Sequence, residues 1–242
     1  MYEKMHGIVL HTLKYNDKNS IVHVLSRERG RVSFLLSQGS GRSARMRNAL
    51  FMPLSILDIE AKVTVGRDIC TIKDVRPAEI IVSIYSDPAK NAIAMFISEL
   101  VGKVIQGSED SSHIYDYVEA AVKMLEVMEG SVANFHICFL YRLGGILGIT
   151  PDVATYREGY GFNMNEGVFM PYYNNGAAFM ISPSDALLLK NLDRIRFSNM
   201  HLFRFNREQR NMLLDKMLKY YQIHNSTLGN LKSPEILSQL FD

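Results

Sequence analysis

Two cysteines, Cys70 and Cys138, are all that the 242 residues contain, and their scarcity removes several classes of protein. Lying in separate apolar segments, they cannot build a disulfide framework or a four-cysteine zinc site, so both are expected as buried free thiols. No stretch reaches the roughly 18 uninterrupted apolar residues of a membrane span, and the opening MYEKMHG lacks the apolar core of a secretory leader. These absences predict a cytoplasmic protein with no membrane partner. Catalytic signatures are missing as well: there is no G-x-S-x-G elbow, no H-E-x-x-H, no cysteine–histidine pairing and no patterned pair of carboxylates. The expectation is a binding protein, not an enzyme. Gly39-Ser40-Gly41-Arg42-Ser43 lacks the lysine and the following helix of a phosphate-cradling P-loop. His6, His11 and His23 fall on predicted strands at a spacing that matches no ligand pattern, so no metal site is expected.

Hydrophobic residues at 47% and charged residues at 21% are those of a folded globular chain, with length for one large domain or two smaller ones. The net charge of +2 conceals an uneven distribution. Residues 1–80 carry 13 Lys/Arg against 8 Asp/Glu, whereas residues 90–166 carry 5 against 10. A polyanion is drawn to the first segment and repelled by the second, because phosphate contacts supply most sequence-independent nucleic-acid affinity.

Period-2 alternation and β-branched residues predict five strands in the first 81 residues: His6 to Tyr15, Ile21 to Ser26, Arg31 to Ser37, Leu54 to Ala61 and Ile69 to Val75. Five strands closing on themselves make a small barrel of the OB type, which leaves no open edges. From Asp87 onward the period becomes helical. Asp87-Pro88 opens a helix with Ile93, Phe96, Ile97, Leu100, Val101 and Val104 on one face and Gly107 as its stop. A second runs from Ser112 to Met128. A third, from about Ser131 to Leu147, is apolar nearly all round and belongs at the centre of a bundle. Residues 155–180 have no steady period and read as an irregular inserted loop. Helices resume at Ser182-Pro183, from Asn206 to about Ile223, and at Ser233-Pro234. The reading is α+β: an OB-fold barrel over 1–81, then an all-α bundle over 82–242.

Arg27, Arg29 and Arg31, followed by Arg42, Arg45 and Arg47, place six cations in the 21 residues 27–47, offset only by Glu28. The first three flank a predicted turn and the second three lie in a Gly/Ser-rich segment, so all are expected in solvent. Arginine grips phosphate through a planar fork and stacks on bases, and this density on a small barrel predicts a groove for single-stranded nucleic acid. Lys14 and Tyr15 are secondary candidates. Phe34 shares an alternating face with Val32 and Leu36 and is expected in the core. A later basic stripe, Lys190, Arg194, Arg196, Arg204, Arg207, Arg210, Lys216 and Lys219, reads first as a solvated face and second as support for DNA or acidic-peptide binding.

The order and spacing of several short motifs resemble the RecO family of recombination mediators along most of the chain. They are Gly7-Ile8-Val9-Leu10-His11, Tyr15-Asn16-Asp17, Gly30-Arg31-Val32, Gln38-Gly39-Ser40, Pro53 to Ile59, Leu147-Gly148-Ile149-Thr150-Pro151, and Lys232-Ser233 before Ile236-Leu237. The resemblance implies a DNA-repair protein that binds single- and double-stranded DNA and anneals complementary strands. It also implies that, with RecR, the protein promotes RecA loading onto strands coated by single-strand binding protein. Cytoplasmic, nucleoid-associated placement follows from that role. Many members carry a four-cysteine zinc element at the equivalent of residues 155–173. Here there is no cysteine, and zinc is expected to be absent, with Tyr156, Tyr160, Phe162, Phe169 and Tyr172 packing the loop instead. Gln38 stands where the family usually has a basic residue. The acidic, Phe-ended tail of single-strand binding protein needs an apolar pocket rimmed by cations, for which Arg142 and Lys103 are the candidates. The competing reading is an OB-fold RNA-binding or translation-associated module.

Overall fold

The computed structural model describes residues 2–37, 39, 41, 46, 48–63, 68–105, 111–130, 132–173 and 178–240. Two compact units divide the chain, Met1–Met128 and Glu129–Asp242.

The first unit is built on five strands: β1 (Tyr2–Lys14), β2 (Asn19–Ser26), β3 (Gly30–Ser37), β4 (Ile56–Lys62) and β5 (Ile69–Pro77). They close in the order β1-β2-β3-β5-β4. Only the β3–β5 pairing is parallel, and this is the OB topology. Alternation sends Met5, Val9, Val22, Val24, Val32, Phe34, Leu36, Ile59 and Cys70 inward to one core. Phe34 is packing, as its strand face requires. Ile8, Leu10 and Leu25 lie outside that core yet are fully buried, because helices cover the outer wall.

Those helices are α1 (Ser83–Ser86), α2 (Pro88–Val104) and α3 (Ser112–Val127). The carboxylate of Asp87 caps α2, accepting from the N–H groups of Ala89 and Lys90, and all six apolar residues read from the sequence are buried. Gly107, expected as the stop, lies outside the described residues. α2 rests on β1 and α3 on β2. A Cβ at Gly102 would stand 3.4 Å from the His11 ring, so the glycine admits the close approach of helix to strand. This apolar interface carries the compact unit beyond the barrel's end at residue 81, up to Met128.

The second unit centres on α4 (Phe135–Ile146), with Phe135, Ile137, Cys138, Phe139, Leu140 and Leu143 buried and Ile146 partly exposed. Its expected start at Ser131 lies outside the described residues. Both cysteines are buried free thiols. Around α4 stand α5 (Pro183–Asn191), capped by Ser182, α6 (Arg207–His224), opened by an Asn206–Gln209 capping box, and α7 (Ser233–Leu240).

The expected irregular loop is corrected here. This stretch and the residue after it hold a three-stranded sheet, β6 (Tyr160–Asn163), β7 (Val168–Pro171) and β8 (Met180–Ile181), in the order β7-β6-β8. Strands of two to four residues are too short to show a period, and Gly167, at φ +70°, makes the turn between two of them. Phe162 and Phe169 are buried with ring centroids 4.9 Å apart, and Tyr156 meets Phe169 edge-on at 5.3 Å. Tyr160 and Tyr172 are only half-buried. The larger support comes from α6: the Tyr220 ring lies 5.4 Å from Phe162, and His224 Nε2 is 2.8 Å from the Met164 carbonyl oxygen.

Candidate nucleic-acid interface

The β2–β3 turn brings Arg27, Glu28 and Arg29 together and sends them to different partners. Arg27 Nε donates to Asp116 on α3 at 2.8 Å. Arg29 grips Glu3 on β1 with Nε and Nη2 at 2.6 and 2.8 Å. Between them, the Glu28 carboxylate accepts from the His6 N–H and the Ser26 hydroxyl. Arg31 lies along β3, half-buried, with Nη2 3.4 Å from His23 Nδ1. Arg27 and Arg29 are in solvent as expected, each paired with a carboxylate, whereas Arg31, expected there too, is half-buried. Residues of a tight turn diverge, and each arginine has found the nearest acceptor. The two carboxylate pairs are exposed and contribute little to stability, so a phosphate can compete for either guanidinium. Arg42, Arg45 and Arg47 lie outside the described residues, as does Gln38.

Beside Arg31 is a polar band under α2. His11 and His23 face each other with ring centroids 4.5 Å apart, and Ser33 Oγ is 2.9 Å from His23 Nδ1. Burial, then the charges of His11 and Arg31, hold His23 down at about 4, and burial followed by Arg31 also lowers His11. Both rings are neutral near pH 7. The pair is a packing element, and among the described residues no group of three or more His, Cys, Asp or Glu could hold a metal ion.

Farther along the same wall the helices stop covering the strands. Lys14 pairs with Asp17 across the β1–β2 hairpin at 2.9 Å, and Tyr15 is 62% exposed. Register sets Leu13 beside Ile21 and Ile21 beside Leu35, an apolar row that reaches solvent. Sequence reading passed over this row. Its residues sit at ordinary outward strand positions and become neighbours only through the register.

Of the two expected partner-docking cations, Arg142 is engaged within its own unit. Arg142 is turned inward: Nε and Nη2 donate to the Ile195 carbonyl at 2.7 and 2.6 Å, and Nη2 also to that of Asp193 at 2.5 Å. Its fork closes the turn after α5, because several carbonyls converge within its reach. Lys103 is half-buried in the last turn of α2. Much of the late basic stripe is likewise engaged within its own unit. Arg196 bonds the carbonyls of Asp193 and Ile195, Arg210 that of Phe205, and Lys219 that of Ala178.

A closed five-stranded barrel of OB topology, followed by a helical unit, defines the class: a two-unit OB-barrel protein. Residues 1–81 match the family model for the recombination protein O N terminus, and residues 85–234 that for its C terminus. The chain is 35% identical to the DNA repair protein RecO of Phocaeicola vulgatus over 241 residues, covering all of both chains. It is 38% identical to that of Porphyromonas gingivalis strain W83 over 247 residues, 98% of each chain, and 31% identical over full length to that of Flavobacterium johnsoniae. The chain belongs to the RecO family of DNA repair proteins.

Proposed function

We propose that the protein is a non-enzymatic recombination mediator in the cytoplasm, associated with the nucleoid. It binds single- and double-stranded DNA, anneals complementary strands and, with RecR, promotes RecA loading onto strands coated by single-strand binding protein. The observation that supports this most is the full-length similarity to RecO proteins, spanning the barrel and the helical unit alike. Annealing without a nucleotide cofactor suits a basic surface that neutralises phosphate and lowers the repulsion between two strands. In this reading Arg42, Arg45 and Arg47 carry the electrostatic grip. Arg27 and Arg29 join by exchanging a carboxylate for a phosphate, and Tyr15 with the Leu13–Ile21–Leu35 row meets the bases. Arg31 adds a further phosphate contact in this reading, and Lys14 a secondary one. In this reading the protein needs no zinc, since residues 155–173 contain none of the cysteines such an element uses.

The test is a salt titration of binding to single-stranded DNA, comparing the wild type with Arg42→Ala/Arg45→Ala/Arg47→Ala. Each lost phosphate contact on a single strand lowers the log–log salt slope by about 0.7, so the triple variant should lose up to about 2 units. An unchanged slope places the grip elsewhere, and tighter binding to RNA with no stimulation of annealing favours an RNA-binding module.

A further inference from the structure

We propose a second single-strand-binding groove in the helical unit, formed by Phe203 and Phe205 with Arg194 and Arg204. It differs from the barrel site in chemistry, since here stacking rings and free guanidiniums share one surface. The groove encloses about 350 Å³ and is lined by Leu188, Asn191, Arg194, Phe203, Arg204, Phe205 and Gln209.

Among the eight cations of the late basic stripe, Arg194 and Arg204 differ from the rest. Lys190 lies over the Tyr156 ring, Arg207 donates to the Ser238 carbonyl, Lys216 stands 3.8 Å from Asp215, and Arg196, Arg210 and Lys219 bond carbonyls. The guanidiniums of Arg194 and Arg204 are exposed and have no hydrogen bond, ion pair or ring contact among the described residues. No carboxylate lines the groove with them.

The rings between them are held in place. Phe203 and Phe205 have centroids 5.8 Å apart and are half-buried. The Phe203 carbonyl accepts from the buried Asn134 amide at 2.6 Å, and the Phe205 carbonyl from the buried Arg210 at 2.6 Å. On the other wall, the Asn199 amide donates to the Arg194 carbonyl, and Arg142 fixes the carbonyls on either side of it. Both segments are therefore set before any ligand arrives, which lowers the entropy lost on binding.

Paired aromatic faces with unengaged guanidiniums match a single strand, whose bases stack while its phosphates take the bidentate forks. An acidic peptide ending in an apolar residue needs a pocket that closes around that residue, whereas this groove is open to solvent and offers ring faces on which bases stack. A duplex hides its base faces and cannot use the rings.

The experiment measures binding of a short fluorescent oligo(dT) to the full chain across a salt series. Arg194→Ala/Arg204→Ala removes two exposed side chains without internal partners, so folding is preserved. It should weaken binding severalfold and lower the slope by about 1.4. Phe203→Leu/Phe205→Leu keeps apolar bulk but removes the π faces, and should weaken binding about fivefold or more with the slope unchanged. Wild-type affinity and slope in the arginine variant overturn the proposal. So does loss of binding to a fluorescent acidic, Phe-ended peptide while oligo(dT) binding is untouched, which makes the groove a peptide site. Run in parallel, Arg42→Ala/Arg45→Ala/Arg47→Ala separates the two readings, because a change confined to one variant sustains its own site and removes the other.

Discussion

Single residues here are decided by the partners within reach. Arg142 looks like a surface cation beside an apolar helix, but folding gives it a set of converging carbonyls. Arg142→Met should lower stability by about 2–3 kcal/mol, since charge-assisted bonds are lost and carbonyls are left unpaired. Chemical denaturation measures this. His23 and His136 carry a pH dependence. Burial, then neighbouring charge, holds them at about 4 and about 3, against an ordinary 6.5. The unfolded chain therefore takes up protons first, and stability that is full above 6.5 falls as the pH drops from there toward 4. His23→Gln should flatten this fall between pH 6.5 and 4.5 in urea midpoints, and an equally steep fall would remove His23 from the cause.

At the scale of elements, the join between barrel and helices depends on Glu126. Its carboxylate accepts from the N–H groups of Val82, Ser83 and Ile84 at 2.8–3.0 Å, and the buried Lys90 ammonium donates to Ser83 Oγ and the Glu126 carbonyl. Burial would raise the Glu126 carboxyl, but the three N–H groups and Lys90 outweigh it and hold it below its ordinary 4.5. Its contribution is thus present above 4.5 and fades as the pH falls through the lowered value. Glu126→Ala should cost about 1–3 kcal/mol, with faster hydrogen exchange at the start of α1. The small sheet has a different support. Phe162→Ala opens a cavity between β6, β7 and α6 and should cost about 3–5 kcal/mol, and protection lost only in β6 and β7 would show that the sheet unfolds by itself. Helices with explicit caps, such as Asp87-Pro88 and Ser182-Pro183, were legible in the sequence because a cap is a local bond. The sheet was not, because its strands are shorter than the window in which alternation can be seen, and part of its support comes from Tyr220 and His224, about 60 residues away.

Across the described residues, many cations are already engaged by partners within the fold. Arg27→Ala/Arg29→Ala should leave the unfolding midpoint almost unmoved, since both pairs are exposed, while reducing the salt slope of DNA binding if these guanidiniums exchange to phosphate. Local alternation, cap chemistry and apolar helix faces determined the five-stranded barrel, its inward set from Met5 to Cys70 and the helices behind it, because each depends on neighbours near in sequence. The charge bias of the first 80 residues was visible in the same way. Only the tertiary structure decided which charges are available. It spent Arg142 and Arg210 on carbonyls, set Arg27 and Arg29 against carboxylates, left Arg194 and Arg204 unengaged beside two rings, and lined up Leu13, Ile21 and Leu35. A guanidinium's state depends on which acceptors lie within about 3 Å of it, and residues far apart in the chain supply them.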